Sequence, residues 1–173
     1  MKEWLKLLLL GALSVAFGIF VLGNVAMASL AVTTLVGFLF LISGGFQVVA
    51  GFTGDAGSAR AFSIIMGVLM AVLGLSFLVN PLEGMMSLTM LVLILLVASG
   101  VVRLVLAFRM QATPYFWPML ISGALSVLLA AYIMANFATA SVSLLGIIMG
   151  IELLFNGAGL IVLAFFVRAV LPK

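Results

Sequence analysis

Six apolar stretches, at residues 5–23, 28–52, 61–79, 85–108, 116–135 and 139–167, follow one another along the chain, with the charged residues collected mainly between them. A hydrocarbon core about 30 Å thick is crossed by about 20 helical residues, and each stretch is close to or above that length. None shows the strict alternation of a barrel strand. In lipid the backbone must satisfy its own hydrogen bonds, so all six are predicted to be helices. The expected fold is an all-α integral membrane protein with six transmembrane helices.

The pattern also repeats. Gly11, Gly67 and Gly123 are 56 residues apart (67 − 11 and 123 − 67), and so are Asn24, Asn80 and Asn136. The segment Gly11-Ala-Leu-Ser-Val15 returns as Gly123-Ala-Leu-Ser-Val127, with Gly67-Val-Leu69 between them. Gly18 matches Gly74, and Ser43-Gly44 matches Ser99-Gly100. Fixed-period similarity of this kind predicts three copies of a helical hairpin, at about 5–52, 61–108 and 116–167. Short turns at Asn24, Asn80-Pro81 and Asn136 join the helices of each copy, where Asn accepts unusual backbone angles and Pro cannot continue a helix. Turn chemistry accounts for these three Asn more simply than a shared functional role. Lys2, Lys6 and the later Ala26-Met-Ala28 resemble a signal peptide with its cleavage site. The register shared with two later hairpins argues instead that this stretch is the first transmembrane helix.

Composition agrees, with 67% hydrophobic residues, 6% charged residues and a mean hydropathy of +1.54. Cys and His are both absent, which excludes disulfides, thiol chemistry, a Ser/His/Asp triad and the commonest metal ligand. Four acidic residues without them do not suggest a metal site. The glycine-rich segment 51–60 lacks the Gly-Lys-Ser/Thr of a phosphate loop and is read as a connector. The eleven Met residues are dispersed, as adaptable packing. A non-enzymatic protein without a cofactor is expected.

Charge sets the orientation. Lys2, Lys6, Arg60, Arg109, Arg168 and Lys173 fall on the side of the termini, with Arg103 near that end of the fourth span, while the opposite turns carry only Glu83. The positive-inside rule then places both termini on the cytoplasmic side. The net charge of +3 is explained by this topology and does not point to nucleic acid. Trp4, Tyr115, Trp117 and Tyr132 suit the aromatic belts at the two interfaces. Hairpins entering and leaving on one side are parallel repeats, and a pseudo-threefold bundle is their simplest packing.

Glu152 is the one acidic residue well inside a span, with Asn156 a helical turn beyond it. At about 100° per residue, Ser141, Glu152, Asn156 and Gly159 form one stripe. Subtracting 56 from Asn156 and Gly159 gives Gly100 and Arg103, and subtracting 112 gives Gly44 and Gln47. Glu152, Asn156, Arg103 and Gln47 are therefore predicted to form an intramembrane polar cluster on equivalent faces. A charged residue at mid-helix costs roughly 2.5–3.5 kcal/mol on insertion scales, which disfavours exposure to lipid. The cluster is read either as a structural network fixing helix register or as a proton-responsive or solute-lining site. On another face, Gly146, Gly150 and Gly157 predict close helix packing, within the chain or, alternatively, between copies.

Gly18, Gly37, Ser43-Gly44 and Gly51-Phe52, then Gly100-Val-Val-Arg103-Leu104, Trp117 six residues before Gly123, and Gly150-Ile-Glu152-Leu-Leu-Phe155 together resemble the HdeD-like acid-resistance membrane proteins of bacteria. The resemblance runs over nearly the whole chain. It implies a six-helix inner-membrane protein linked to acid or general stress tolerance, and it brings no catalytic residues. A small transporter or channel for protons or a small solute is the alternative, and a subunit of a larger membrane complex a third reading. Beyond the lipid bilayer, copies of itself or a membrane-complex partner are the partners this reading admits.

Overall fold

The computed structural model describes residues 3–53, 58–111 and 113–170. It contains α1 (Glu3–Gly23), α2 (Val25–Thr53), α3 (Ser58–Val79), α4 (Pro81–Arg109), α5 (Phe116–Ala135) and α6 (Phe137–Val170), with no strand among the described residues. All six are long and apolar enough to cross a membrane. Most overrun the apolar stretches that predicted them. A helix does not stop where the hydrocarbon stops, and the backbone keeps its internal bonds into the interface.

The turns behave as Asn and Pro dictate. The side-chain amides of Asn24 and Asn136 each donate to the carbonyl four residues back, Phe20 and Tyr132, both at 3.1 Å. Asn80 makes no such cap bond; Pro81, lacking an N–H that would be unsatisfied anyway, opens α4 instead. Each hairpin is thus closed by a single residue between its helices.

The two helices of a hairpin nevertheless touch little. The intimate pairs are α1 with α6, α3 with α2, and α5 with α4. Each is built on glycine. A Cβ added to Gly11 would stand 2.8 Å from the Gly157 carbonyl oxygen, one on Gly67 2.9 Å from that of Gly44, and one on Gly123 3.0 Å from that of Gly100. Backbones approach this closely only without side chains between them, and in lipid such van der Waals packing supplies much of the association. At the ends of two seams a guanidinium covers a ring: Arg168 lies over Trp4 at 5.0 Å and Arg60 over Phe52 at 5.9 Å. The even-numbered helices also touch one another.

The buried core is small and partly polar. Ser29, Thr33, Met85, Thr89, Ser141 and Leu145 are buried in the N-terminal parts of α2, α4 and α6. Backbone carbonyls accept from two of these four hydroxyls: Thr33 donates to Ser29 O at 2.9 Å and Ser141 to Ala138 O at 3.0 Å. The Gly146 N–H donates to the Ser29 hydroxyl at 2.8 Å, linking α6 to α2. Large apolar side chains such as Phe46, Phe155 and Val162 face outward instead. That inversion fits a protein whose solvent is hydrocarbon.

Candidate functional site

Glu152 and Asn156 both lie exposed on α6. Among the described residues, no hydrogen bond or ion pair reaches either of them. Glu152 is within about 20° of Ser141 and Leu145 around the helix, 11 and 7 residues away. Those two are buried, Ser141 completely and Leu145 at 9% exposure. One stripe of α6 is therefore covered near the start of the helix and open at Glu152.

Gln47 and Arg103 are placed elsewhere. Gln47 is half-buried at the seam of α2 with α3, where its carbonyl accepts a bond from the Ser63 hydroxyl at 3.2 Å. Arg103 lies at the seam of α4 with α5, its guanidinium donating to the Ser122 hydroxyl. No hydrogen bond or ion pair among the described residues joins the four expected members of the cluster.

The reason is register. Gly44, Gly100 and Gly157 are the residues that meet Gly67, Gly123 and Gly11, so they occupy matching places on α2, α4 and α6. The first two are 56 residues apart (100 − 44), but the last two are 57 (157 − 100). α6 carries one extra residue before Gly157, and one residue turns a helix face by about 100°. The counterparts of Asn156 are therefore Ser43 and Ser99, each directly before its packed glycine, and not Gly44 and Gly100. Gln47 and Arg103 correspond to Leu160, and Glu152 corresponds to Leu39 and Leu95. The structure thus places Gln47 and Arg103 at two seams, and Glu152 with Asn156 on an open stripe of α6.

The glycine stripe of α6 is divided between two neighbours. Gly150 and Gly157 meet α1, where a Cβ on Gly150 would stand 2.6 Å from a Leu22 methyl carbon. Gly146 instead lies against the backbone of Val25 in α2. All three are taken up by packing within the chain.

Of the buried hydroxyls, Ser141 was named in the sequence only as part of the Glu152 stripe, and Ser29, Thr33 and Thr89 were not singled out. Thr33 and Thr89 carried a signal, since they are also 56 apart (89 − 33). Thr89 Oγ1 is buried without a hydrogen-bond partner among the described residues. Ser14, whose hydroxyl donates to Leu153 O at 2.9 Å, carried none that distinguishes it from other serines. No group of three or more His, Cys, Asp or Glu side chains that could hold a metal is present among the described residues.

Six membrane-length apolar helices, packed through glycine seams around a few buried hydroxyls, define a polytopic α-helical membrane protein. The chain belongs to the family described as a short repeat of unknown function, DUF308, whose model matches residues 9–78 and again residues 65–135. The two matches begin 56 residues apart (65 − 9), so the family's own unit recurs at the spacing of the glycines. The chain is also HdeD-like. It is 28% identical over 158 residues to Protein HdeD of Escherichia coli strain K12, and equally to those of Escherichia coli O157:H7 and Shigella flexneri. These alignments cover 89% of this chain and 78% of each relative. No solved structure matches it.

Proposed function

We propose that this protein is a non-enzymatic component of a bacterial inner membrane that contributes to acid or general stress tolerance. In this reading both termini are cytoplasmic, and three hairpin copies form a ring in which each odd helix packs on the even helix of the preceding copy. Its medium is the lipid bilayer, with copies of itself or a membrane-complex partner as protein partners and no nucleic acid.

The likeness to Protein HdeD at 28% identity suggests the stress role, and the glycine pairs at Gly11, Gly67 and Gly123 support the ring. The observation that carries the functional reading is Glu152, an exposed carboxylic acid without a partner among the described residues, far from either end of α6. A group so placed changes its interaction with the membrane when it gains or loses a proton. Acid survival of cells carrying Glu152→Gln tests it: reduced survival with unchanged protein level is expected. Survival, fold and oligomeric state all equal to wild type would sink the role of Glu152.

A second reading, a small transporter or channel for protons or a small solute, draws on Asn156 lying one turn from Glu152 on the open side of α6. Purified protein in vesicles with a pH gradient separates the two. Flux abolished by Glu152→Gln favours transport, and no flux at any pH favours the non-conducting role.

A further inference from the structure

Arg103 is an exposed cation inside a membrane-spanning helix, and among the described residues its partner is a hydroxyl rather than a counter-charge. It lies six residues before the end of α4 at Arg109, and Ser122 lies six residues after the start of α5 at Phe116. Both are thus about 9 Å inside their helix ends. The bond to Ser122 holds the guanidinium at that depth instead of letting it extend freely to the interface. A guanidinium carries five N–H donors in a planar fork, and Ser122 is the one acceptor found for it among the described residues. Glu152 does not reach it, and Glu83 stands in the first turn of α4, at the opposite end of that helix.

Among the described residues no carboxylate pairs with Arg103, and the surroundings specify the kind of counter-ion that fits. Val102, Val105 and Leu106, beside Arg103 on α4, are exposed and apolar. The occupant has to combine a negative group with hydrocarbon. Tyr115, the residue just before α5 and seven before Ser122, is exposed at the interface end of that helix. Arg60, Arg109 and Arg168 lie at the same end of the bundle and attract anionic lipid to that leaflet.

We propose that Arg103 and Ser122, at the seam of α4 with α5, bind the phosphate of an anionic phospholipid whose acyl chains lie along the apolar surface of α4. The phosphate oxygens accept from the guanidinium fork. The Ser122 hydroxyl, which accepts from Arg103, still has its own proton to donate to the phosphate. This site is independent of Glu152 and of any role in acid tolerance.

The test uses the full chain in detergent micelles, titrated with phosphatidylglycerol or phosphatidylcholine and followed by native mass spectrometry and thermal unfolding. Wild type is expected to bind phosphatidylglycerol in preference and to unfold at a higher temperature with it. Arg103→Gln should weaken that binding by about tenfold, Ser122→Ala less, and Arg109→Gln, outside the seam, much less than Arg103→Gln. If Arg103→Gln does not fold, the proposal rests on Ser122→Ala and on Arg103→Lys, which keeps the charge but loses the fork and should bind with intermediate strength. Equal binding of the two lipids, or phosphatidylglycerol affinity unchanged in the folded site variants, would overturn it. So would dimers that disappear with Arg103→Gln, because the counter-ion would then belong to a second copy.

Discussion

Gly11 in α1 and Gly157 in α6 face each other backbone to backbone across the first and last helices of the chain. A Cβ on Gly157 would lie 2.7 Å from the Gly11 carbonyl oxygen, and one on Gly11 would lie 2.8 Å from that of Gly157. Neither position has room for a methyl group. Residues separated by nearly the whole sequence therefore build one of the tightest seams in the molecule, while α1 and α2, joined by a single turn at Asn24, touch little.

Two adjacent glycines separate packing from helix propensity. A Cβ on Gly44 would stand 2.6 Å from the Gly67 carbonyl oxygen and from the Ala71 nitrogen, whereas one on Gly45 meets nothing within 4 Å. Gly44→Ala is expected to destabilise by about 1–3 kcal/mol through overpacking. Gly45→Ala should be neutral or stabilise by up to about 1 kcal/mol. Unfolding titrations in mixed micelles read both, and equal effects would show that the α2–α3 seam is not closely packed.

Thr89 offers a gain. Its hydroxyl is fully buried without a partner among the described residues, whereas the hydroxyl of Thr33 is bonded to Ser29 O. Leaving such a group unsatisfied costs about 1–3 kcal/mol. Thr89→Val keeps the shape and should raise stability by about 1 kcal/mol, while Thr33→Val should lower it or leave it unchanged. Thermal unfolding of the pair checks the contrast, and a loss at position 89 would mean that its hydroxyl is bonded in solution.

Glu152→Leu replaces an unpartnered carboxylic acid with the residue type found at Leu39 and Leu95, its counterparts on α2 and α4. Removing an acidic group from mid-span should favour insertion and stability by about 1–3 kcal/mol. Glycosylation-based insertion assays on α6 and unfolding of the whole protein measure the two parts. A destabilised variant would mean that Glu152 has a partner in the assembled protein.

The six spans were legible because lipid leaves only one backbone solution for a long apolar run, and the Asn24, Asn80 and Asn136 turns because Asn and Pro stop helices. Helix pairing was not. The periodicity of Gly146, Gly150 and Gly157 identifies a face of α6 but not its neighbours, and those turned out to be Val25 of α2 for the first and α1 for the others. The correspondence of the polar residues was hidden for a narrower reason. A single extra residue before Gly157 rotates everything after it by about 100° relative to the other copies, and Asn136, which keeps the exact spacing, conceals the shift. Gln47 and Arg103 retained their correspondence because no such residue intervenes between Gly44 and Gly100.

Packing of α1 on α6, rather than on its hairpin partner α2, is open to disulfide trapping, since the chain has no cysteine of its own. The Ser14 hydroxyl reaches Leu153 O at 2.9 Å. A Ser14→Cys/Leu153→Cys double variant oxidised in membranes is expected to form an intramolecular cross-link, while Ser14→Cys/Thr34→Cys, with both positions ten residues from Asn24, should not. A cross-link to position 34 but not to position 153 would contradict the arrangement.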